Sequence, residues 1–182
     1  MSMQINECNQ DGIEVGLSIG SNLGNRLEHL RAAVRAIMWA DGLTVTALSP
    51  VYETEPVGVK PEHRDMPYLN AVVLLETHLP LDILSETIHG IEKDLGRVRT
   101  TDRFAPRTID IDILYAGRTI SHAKDLTLPH PRWAQRRFVL QPLADLRPNV
   151  QIPGSSLTVA EHLAALPIGS EAVHQIPQTL ES

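Results

Sequence analysis

Cysteine is nearly absent from this 182-residue chain: Cys8 is the single one, in a polar leader. One cysteine excludes an internal disulfide and fits a reducing compartment. No stretch approaches the roughly 20 apolar residues of a membrane span. The first twelve residues, Met1 to Gly12, lack the basic-then-apolar layout of a secretory signal. The expectation is a cytoplasmic protein with no membrane partner. No Gly-x-x-x-x-Gly-Lys-Ser/Thr motif occurs, and Gly16 to Gly24 has the wrong spacing for a dinucleotide fingerprint. Any ATP site must therefore be built without a glycine-rich phosphate loop. Eight histidines lie scattered without zinc-site spacing, which argues against zinc. A net charge of −6 argues against general nucleic-acid binding.

What is present fits one ordinary globular domain, with 42% hydrophobic and 21% charged residues. The reading places that domain at 13–166, with flexible tails at 1–12 and 167–182. Charge is uneven along it. From Lys93 to Arg107 there are five basic residues (Lys93, Arg97, Arg99, Arg103, Arg107) against Asp94 and Asp102. A local cationic stretch on an acidic chain suits a discrete anionic ligand.

That stretch runs into Thr108-Ile109-Asp110-Ile111-Asp112-Ile113-Leu114, whose period of two marks a strand. Asp110 and Asp112 then share one face, with Cβ atoms roughly 7 Å apart, and the isoleucines take the other. Aspartate is a poor strand former. Two in alternate positions either lie on a solvated edge strand or hold a cation. Mg²⁺, bound through one or two carboxylates plus substrate phosphates, suits the second case.

Period and punctuation place a strand at Glu14–Ile19, a helix over Arg26–Ala40 ended by Asp41-Gly42, and a strand over Leu43–Glu53. A Pro- and Gly-bearing loop runs from Thr54 to Pro67. A strand follows at Tyr68–Thr77, then a helix from near Pro80 to Leu95. Apolar residues on both faces of the third strand predict cover on both sides. Tyr115-Ala116-Gly117-Arg118 has the form of a hairpin turn. Pro129 to Pro153 is Pro-rich, and a short helix is expected at Thr158–Leu166. Strand, helix, strand, strand, helix, strand is the split βαβ plan of ferredoxin-like folds. It brings together the loops Gly20–Arg26, Thr54–Pro67 and Arg97–Pro106.

Outside the aspartate pair the candidates are individually weaker. His130 lies between Pro129 and Pro131, followed by Arg132, Arg136 and Arg137. It either faces a phosphate or sits on a surface loop. Tyr68 and Asn70 share a strand face, where an aromatic beside an amide can stack on and bond a flat heterocycle. A core Tyr–Asn pair is the plainer alternative. On composition alone Phe104, Phe138, Trp39 and Trp133 are packing residues.

Taken together, the ordered pieces resemble the 6-hydroxymethyl-7,8-dihydropterin pyrophosphokinase family over roughly Glu14 to Val150. They are Ile19-Gly20-Ser21-Asn22-Leu23, Tyr52-Glu53-Thr54-Glu55-Pro56, Tyr68-Leu69-Asn70-Ala71, Ile91-Glu92, Leu95-Gly96-Arg97-Val98-Arg99, Arg103 to Leu114, Leu128-Pro129-His130-Pro131, and Arg136 with Phe138. The resemblance implies an α/β (α+β) fold: a ferredoxin-like βαββαβ core elaborated into a three-layer α/β/α sandwich. It implies transfer of diphosphate from ATP to 6-hydroxymethyl-7,8-dihydropterin in tetrahydrofolate biosynthesis, with AMP leaving. By that match Asp110 and Asp112 bind two Mg²⁺ ions, and Arg97 and Arg107 neutralise the transferred group. Arg99, His130 and Arg136 hold the triphosphate, with Arg107 also on the ATP side and Glu92 near the nucleotide. Thr54, Val57, Tyr68, Asn70, Phe104 and Phe138 form the pterin pocket. A monomer with small-molecule partners only is implied.

Three positions depart from the family pattern: Phe104 for a tryptophan, Pro131 for a tyrosine, and Glu55 where a proline can sit. Two rival classes are a metal-dependent nuclease using paired aspartates, and a ferredoxin-like ligand-sensing module that does no chemistry. The acidic net charge counts against the first, and the number of ordered matches against both.

Overall fold

The computed structural model describes residues 12–55, 66–97, 106–167 and 172–181. Its spine is β1 (Ile13–Ser21), buried from Val15 onward and antiparallel to both neighbours, β4 (Tyr68–Thr77) and β5 (Asp110–Ala116). Next to β4 lie β2 (Leu43–Leu48) and β3 (Tyr52–Thr54), giving the path β5-β1-β4-β3 with β2 also on β4. With β2 and β3 counted as one broken strand, this is the expected ferredoxin-like order.

The expected second strand, Leu43–Glu53, is in fact two pieces. Pro50 has no N–H for the ladder. Across the break Ser49 substitutes for it, its Oγ accepting the Val72 N–H at 2.8 Å and its own N–H donating to the Val72 carbonyl at 3.0 Å.

Two helices cover one sheet face. Helix α1 (Arg26–Trp39) buries Leu30, Ala33, Val34 and Ile37, and α2 (Leu81–Asp94) buries Leu84, Ile88 and Ile91. They meet Leu17, Ile19, Val73, Leu75, Ile111 and Ile113 in one core. The opposite face carries α3 (Arg137–Leu146) and α4 (Val159–Ala165). Val139, Leu140, Leu143 and Val159 pack there on Val72, Leu74 and Leu114. β4 is therefore covered on both sides, and the molecule has the expected three layers.

Four readings need correction. The Pro-rich segment 129–153 contains α3, which tolerates Pro142 in its interior. The turn at Gly117 exists, with φ of +51°, a conformation glycine adopts without a Cβ penalty. It does not return a strand onto β5, however: β6 (Ser121–His122) pairs with β7 (Thr127–Leu128). Trp39 is 86% exposed at the end of α1, whereas Trp133 is buried as expected. The segment after 167 is not merely a tail. In it β8 (Val173–Gln175) pairs with β3, the Arg31 guanidinium donates to the Thr179 carbonyl, and Leu180 enters the core. Residues 1–11 lie outside the described residues.

The sheet face under α3 changes character along its length. Val72, Leu74 and Leu114 lie beneath the helices. Continuing along the same pleat, β4 offers Asn70 and Tyr68 and β5 offers Asp112 and Asp110. Glycine and serine of β1 lie between them, Gly20 opposite both Asn70 and Asp110 and Ser18 opposite Asp112.

Candidate active site

Gly20 sits at the middle of the polar row because a side chain there has no room. A Cβ would lie 2.9 Å from the Asn70 Oδ1, so the glycine lets the Asn70 carboxamide rest across β1. From that position the Asn70 Nδ2 donates to the Thr54 Oγ1 at 2.8 Å, a buried bond. A carboxamide has two N–H and two lone-pair directions, so this contact orients the group and leaves it capacity for a ligand edge. Tyr68, one pleat along, is half-buried. Burial pushes its phenol up, and the Arg107 guanidinium opposes the rise. Thr54, Tyr68 and Asn70 are therefore brought together as expected.

Asp110 and Asp112 do share a face, as the alternation predicts. Their surroundings differ. The Asp110 carboxylate is gripped from both sides, by Arg97 at 2.6 Å and Arg107 at 2.8 Å. Arg97 also pairs with Glu92, whose side chain is only 2% exposed. Glu92 in turn accepts the Ile111 N–H at 2.8 Å. Burial and the charge of Asp110 push the Asp112 carboxyl up, against the lowering influence of His130, Arg136 and Arg97. A carboxylate with that balance has use for a further cation.

The His130 Nε2 lies 3.9 Å from the Asp112 Oδ2. Its backbone N–H donates to the Leu114 carbonyl at 2.8 Å, which fixes the histidine against the end of β5. The Nδ1 accepts the Arg132 N–H at 3.2 Å, so in the neutral ring the proton sits on Nε2, the nitrogen facing Asp112. Burial pushes the imidazole down from its ordinary value, Asp112 counteracts this, and Arg136 and Arg132 add to it. Arg136 lies over the Phe138 ring at 5.4 Å, a cation–π distance that holds both at the start of α3.

The roots of the three expected loops converge. Arg26 pairs with Glu53 at 2.8 Å and donates to the Pro67 carbonyl at 2.8 Å, touching both ends of the second loop. Asn22 bonds the backbone of Arg107 at the end of the third. Val57, Arg99 and Phe104 lie outside the described residues.

Sequence reasoning missed a cleft of about 390 Å³ along the outer edge of β5, lined by Ser85, Ile88 and His89 of α2, Asp125, Thr127 and His130. Asp112 is also on its wall. The available signal was helical spacing: residues 85, 88, 89 and 92 fall on one face of α2, the face that carries Glu92.

Mg²⁺ needs few protein ligands because it is held by one or two carboxylates together with substrate phosphates and water. Asp110 and Asp112, side by side on one face of β5, supply such a pair of carboxylates. Among the described residues no cluster of three or more His, Cys, Asp or Glu side chains could form an all-protein cage. No described helix is long and apolar enough to cross a membrane.

The sequence profile of 7,8-dihydro-6-hydroxymethylpterin-pyrophosphokinase matches residues 16–148. The chain belongs to this family. It is 40% identical over 141 residues to the 2-amino-4-hydroxy-6-hydroxymethyldihydropteridine pyrophosphokinase of Bacillus subtilis, covering 77% of this chain and 81% of that protein. It is 39% identical over 153 residues to the Folic acid synthesis protein fol1 of Pneumocystis carinii. That match takes in 84% of this chain and 20% of the fungal protein, so the family domain here corresponds to a fraction of a longer chain there. The Plasmodium falciparum HPPK-DHPS crystal structure superimposes with a TM-score of 0.64 at 14% identity, over 86% of this chain and 45% of that one. At that identity the likeness concerns the fold, which is the same α+β sandwich.

Proposed function

We propose that this pyrophosphokinase transfers diphosphate from ATP to 6-hydroxymethyl-7,8-dihydropterin by seating the two substrates on either side of the Asp110–Asp112 pair. The observation that carries the reading is the polar half of the sheet face. It sets two carboxylates and the Asn70–Thr54 amide–hydroxyl pair along one sheet face, with the Arg97 and Arg107 guanidiniums against Asp110.

The pterin lies over Tyr68 and Asn70, with Thr54 and Phe138 around it and Asn70 bonding its edge. The nucleoside occupies the cleft between α2 and His130, so that the phosphates run past His130 and Arg136 towards Asp110. The substrate hydroxymethyl oxygen attacks the β-phosphorus of ATP. The bond from that phosphorus to the α–β bridging oxygen breaks, AMP departs, and the hydroxyl proton is lost to solvent. Little covalent work falls to the protein, and catalysis is positioning plus charge neutralisation.

In this role Arg97 and Arg107 exchange partners. Both pair with Asp110, and on substrate binding they turn to the transferred phosphates. Mg²⁺ held by Asp110 and Asp112 neutralises the phosphates when bound. His130, neutral by burial, donates its Nε2–H to a phosphate oxygen. Glu92 is a support, holding Arg97 and the edge of β5. The enzyme acts as a monomer in the cytoplasm.

Incubation with ATP, Mg²⁺ and the hydroxymethyl dihydropterin tests the assignment. AMP and the pterin diphosphate should appear together in equal amounts; ADP as the nucleotide product would overturn it.

A further inference from the structure

Asn22 is the most informative polar residue in the site region that the proposed chemistry leaves unused. It follows the last residue of β1 and is only 3% exposed. Its side chain and backbone clamp one residue from both sides. The Oδ1 accepts the Arg107 N–H at 2.8 Å, and its own N–H donates to the Arg107 carbonyl at 3.3 Å. The two residues are 85 positions apart. The clamp therefore fixes Arg107, shortly ahead of β5, to the end of the central strand.

The second nitrogen of the same carboxamide is the unusual part. Nδ2 is buried with no hydrogen-bond partner among the described residues. A buried donor without an acceptor is destabilising and rare, so its retention calls for a reason. An aspartate would accept the same N–H more strongly and leave no donor stranded. It would also place a carboxylate beside the backbone of Arg107, where Asp110 already engages the guanidinium at 2.8 Å. Asparagine is the acceptor that adds no negative charge where phosphates must bind.

We infer that Asn22 is a positioning residue for Arg107, holding its backbone so that the guanidinium stays at the point of phosphoryl transfer. The inference rests on the phosphate role given to Arg107 above. Its physical basis is geometric. An arginine on an untethered loop end samples many placements of its long stem, and misplacement by about 1 Å costs on the order of 100-fold in rate.

A double-mutant cycle separates the possibilities. Steady-state AMP formation is measured for Asn22→Ala, Arg107→Ala and the double variant, with KM for each substrate and the melting temperature. Asn22→Ala should lower kcat by about 10- to 100-fold, with both KM values within about threefold. In the Arg107→Ala background the same change should cost less than about twofold. Should Asn22→Ala fail to fold, Asn22→Ser, whose shorter side chain withdraws the acceptor from the Arg107 N–H, should show the same loss in kcat only when Arg107 is present. A wild-type kcat in the folded variant, or a loss that persists undiminished without Arg107, overturns the inference. A wild-type kcat for Arg107→Ala alone is a different result: it removes the phosphate role of Arg107 and the inference with it.

Discussion

The Glu92 carboxylate accepts the Ile111 N–H at 2.8 Å and so ties α2 to the outer edge of β5. β5 ends the sheet, and an edge strand carries N–H groups with no ladder partner. Here a buried acid takes one of them, and its charge is met by Arg97. Removing one member of a buried ion pair costs about 3–5 kcal/mol. In a chain of this length each kcal/mol shifts the melting temperature by about 2–4 °C. Glu92→Ala should therefore melt on the order of 10 °C lower. Glu92→Gln keeps an oxygen for Ile111 and should lose less. Equal melting curves for wild type and Glu92→Ala would show that the edge of β5 is held by other contacts.

The two aspartates separate catalysis from stability. Burial and the charge of Asp110 push the Asp112 carboxyl up, so its negative charge adds nothing to the stability of the fold. Asp112→Asn should leave the melting temperature equal or higher while lowering kcat by roughly 100-fold or more, the usual scale for losing one group that stabilises transition-state charge. Asp110→Ala should also abolish efficient turnover. EDTA should stop AMP formation and added Mg²⁺ restore it. Full activity of Asp112→Asn in EDTA would remove the metal from the mechanism.

The pterin half should respond independently of the nucleotide half. Thr54→Val deprives the buried Asn70 Nδ2 of its acceptor, a loss of about 1–3 kcal/mol. Asn70→Leu removes the proposed edge-reading group outright. Both should raise the pterin KM by about tenfold or more, with the ATP KM nearly unchanged. A parallel rise in both KM values would place Asn70 in general packing instead.

These cases mark what can be read from a sequence. β1, α1, α2 and β5 are legible because each has a clean hydrophobic period, and β4 because it is a continuous apolar run, with Gly or Pro near their ends. Asp110 and Asp112 stand out because their carboxylates break an otherwise apolar alternation. Helix α3 is hidden because Pro129, Pro131, Pro142, Pro148 and Pro153 look like loop punctuation, although the amphipathic run Val139-Leu140-Leu143 buries well against Val72 and Leu74. The exposure of Trp39 has no local cause, since helical spacing alone cannot say where its helix runs past the sheet. The cleft at Ser85 and His89 requires knowing that α2 lies beside the edge of β5, a tertiary fact. The burial of Glu92 and its bonds to the Ile111 N–H and Arg97 likewise cannot be read from the chain.

Alkaline stability should expose two tyrosines that bond carboxylates. Tyr52 donates to Asp145 at 2.6 Å and Tyr115 to Glu14 at 2.7 Å. Burial first, and the carboxylate partner next, push Tyr52 up to about 12 and raise Tyr115 as well. An acid whose folded value exceeds its unfolded value of 10.0 stabilises the protein fully below that pH. That contribution fades as pH rises from about 10 towards 12, because the unfolded chain loses the proton first. Wild type should lose melting temperature over this window, and Tyr52→Phe should lose less. A parallel decline in Tyr52→Phe would assign the alkaline transition to other groups.

The C-terminal strand offers the last test, because it lies beyond the residues matched by the family profile yet pairs with β3, which carries Thr54 of the proposed pterin pocket. Val173 is the ladder partner of Thr54 and Gln175 of Tyr52, and the Ile176 N–H donates to the Val51 carbonyl at 2.9 Å. Leu180, 5% exposed, anchors this strand in the core between the sheet and α1. β3 is only three residues long, so without β8 it would hold Thr54 by a short pairing to β4 alone. Leu180→Ala removes the anchor and leaves the ladder sequence intact. A buried Leu→Ala change costs about 2–5 kcal/mol, and the melting temperature should fall accordingly. The pterin KM should rise as Thr54 loses its fixed position, while the ATP KM and kcat at saturation stay close to wild type. A chain ending at 167 should show the same pattern more strongly. If either variant keeps a wild-type pterin KM, β3 is held by β4 alone and the C-terminal strand serves only stability.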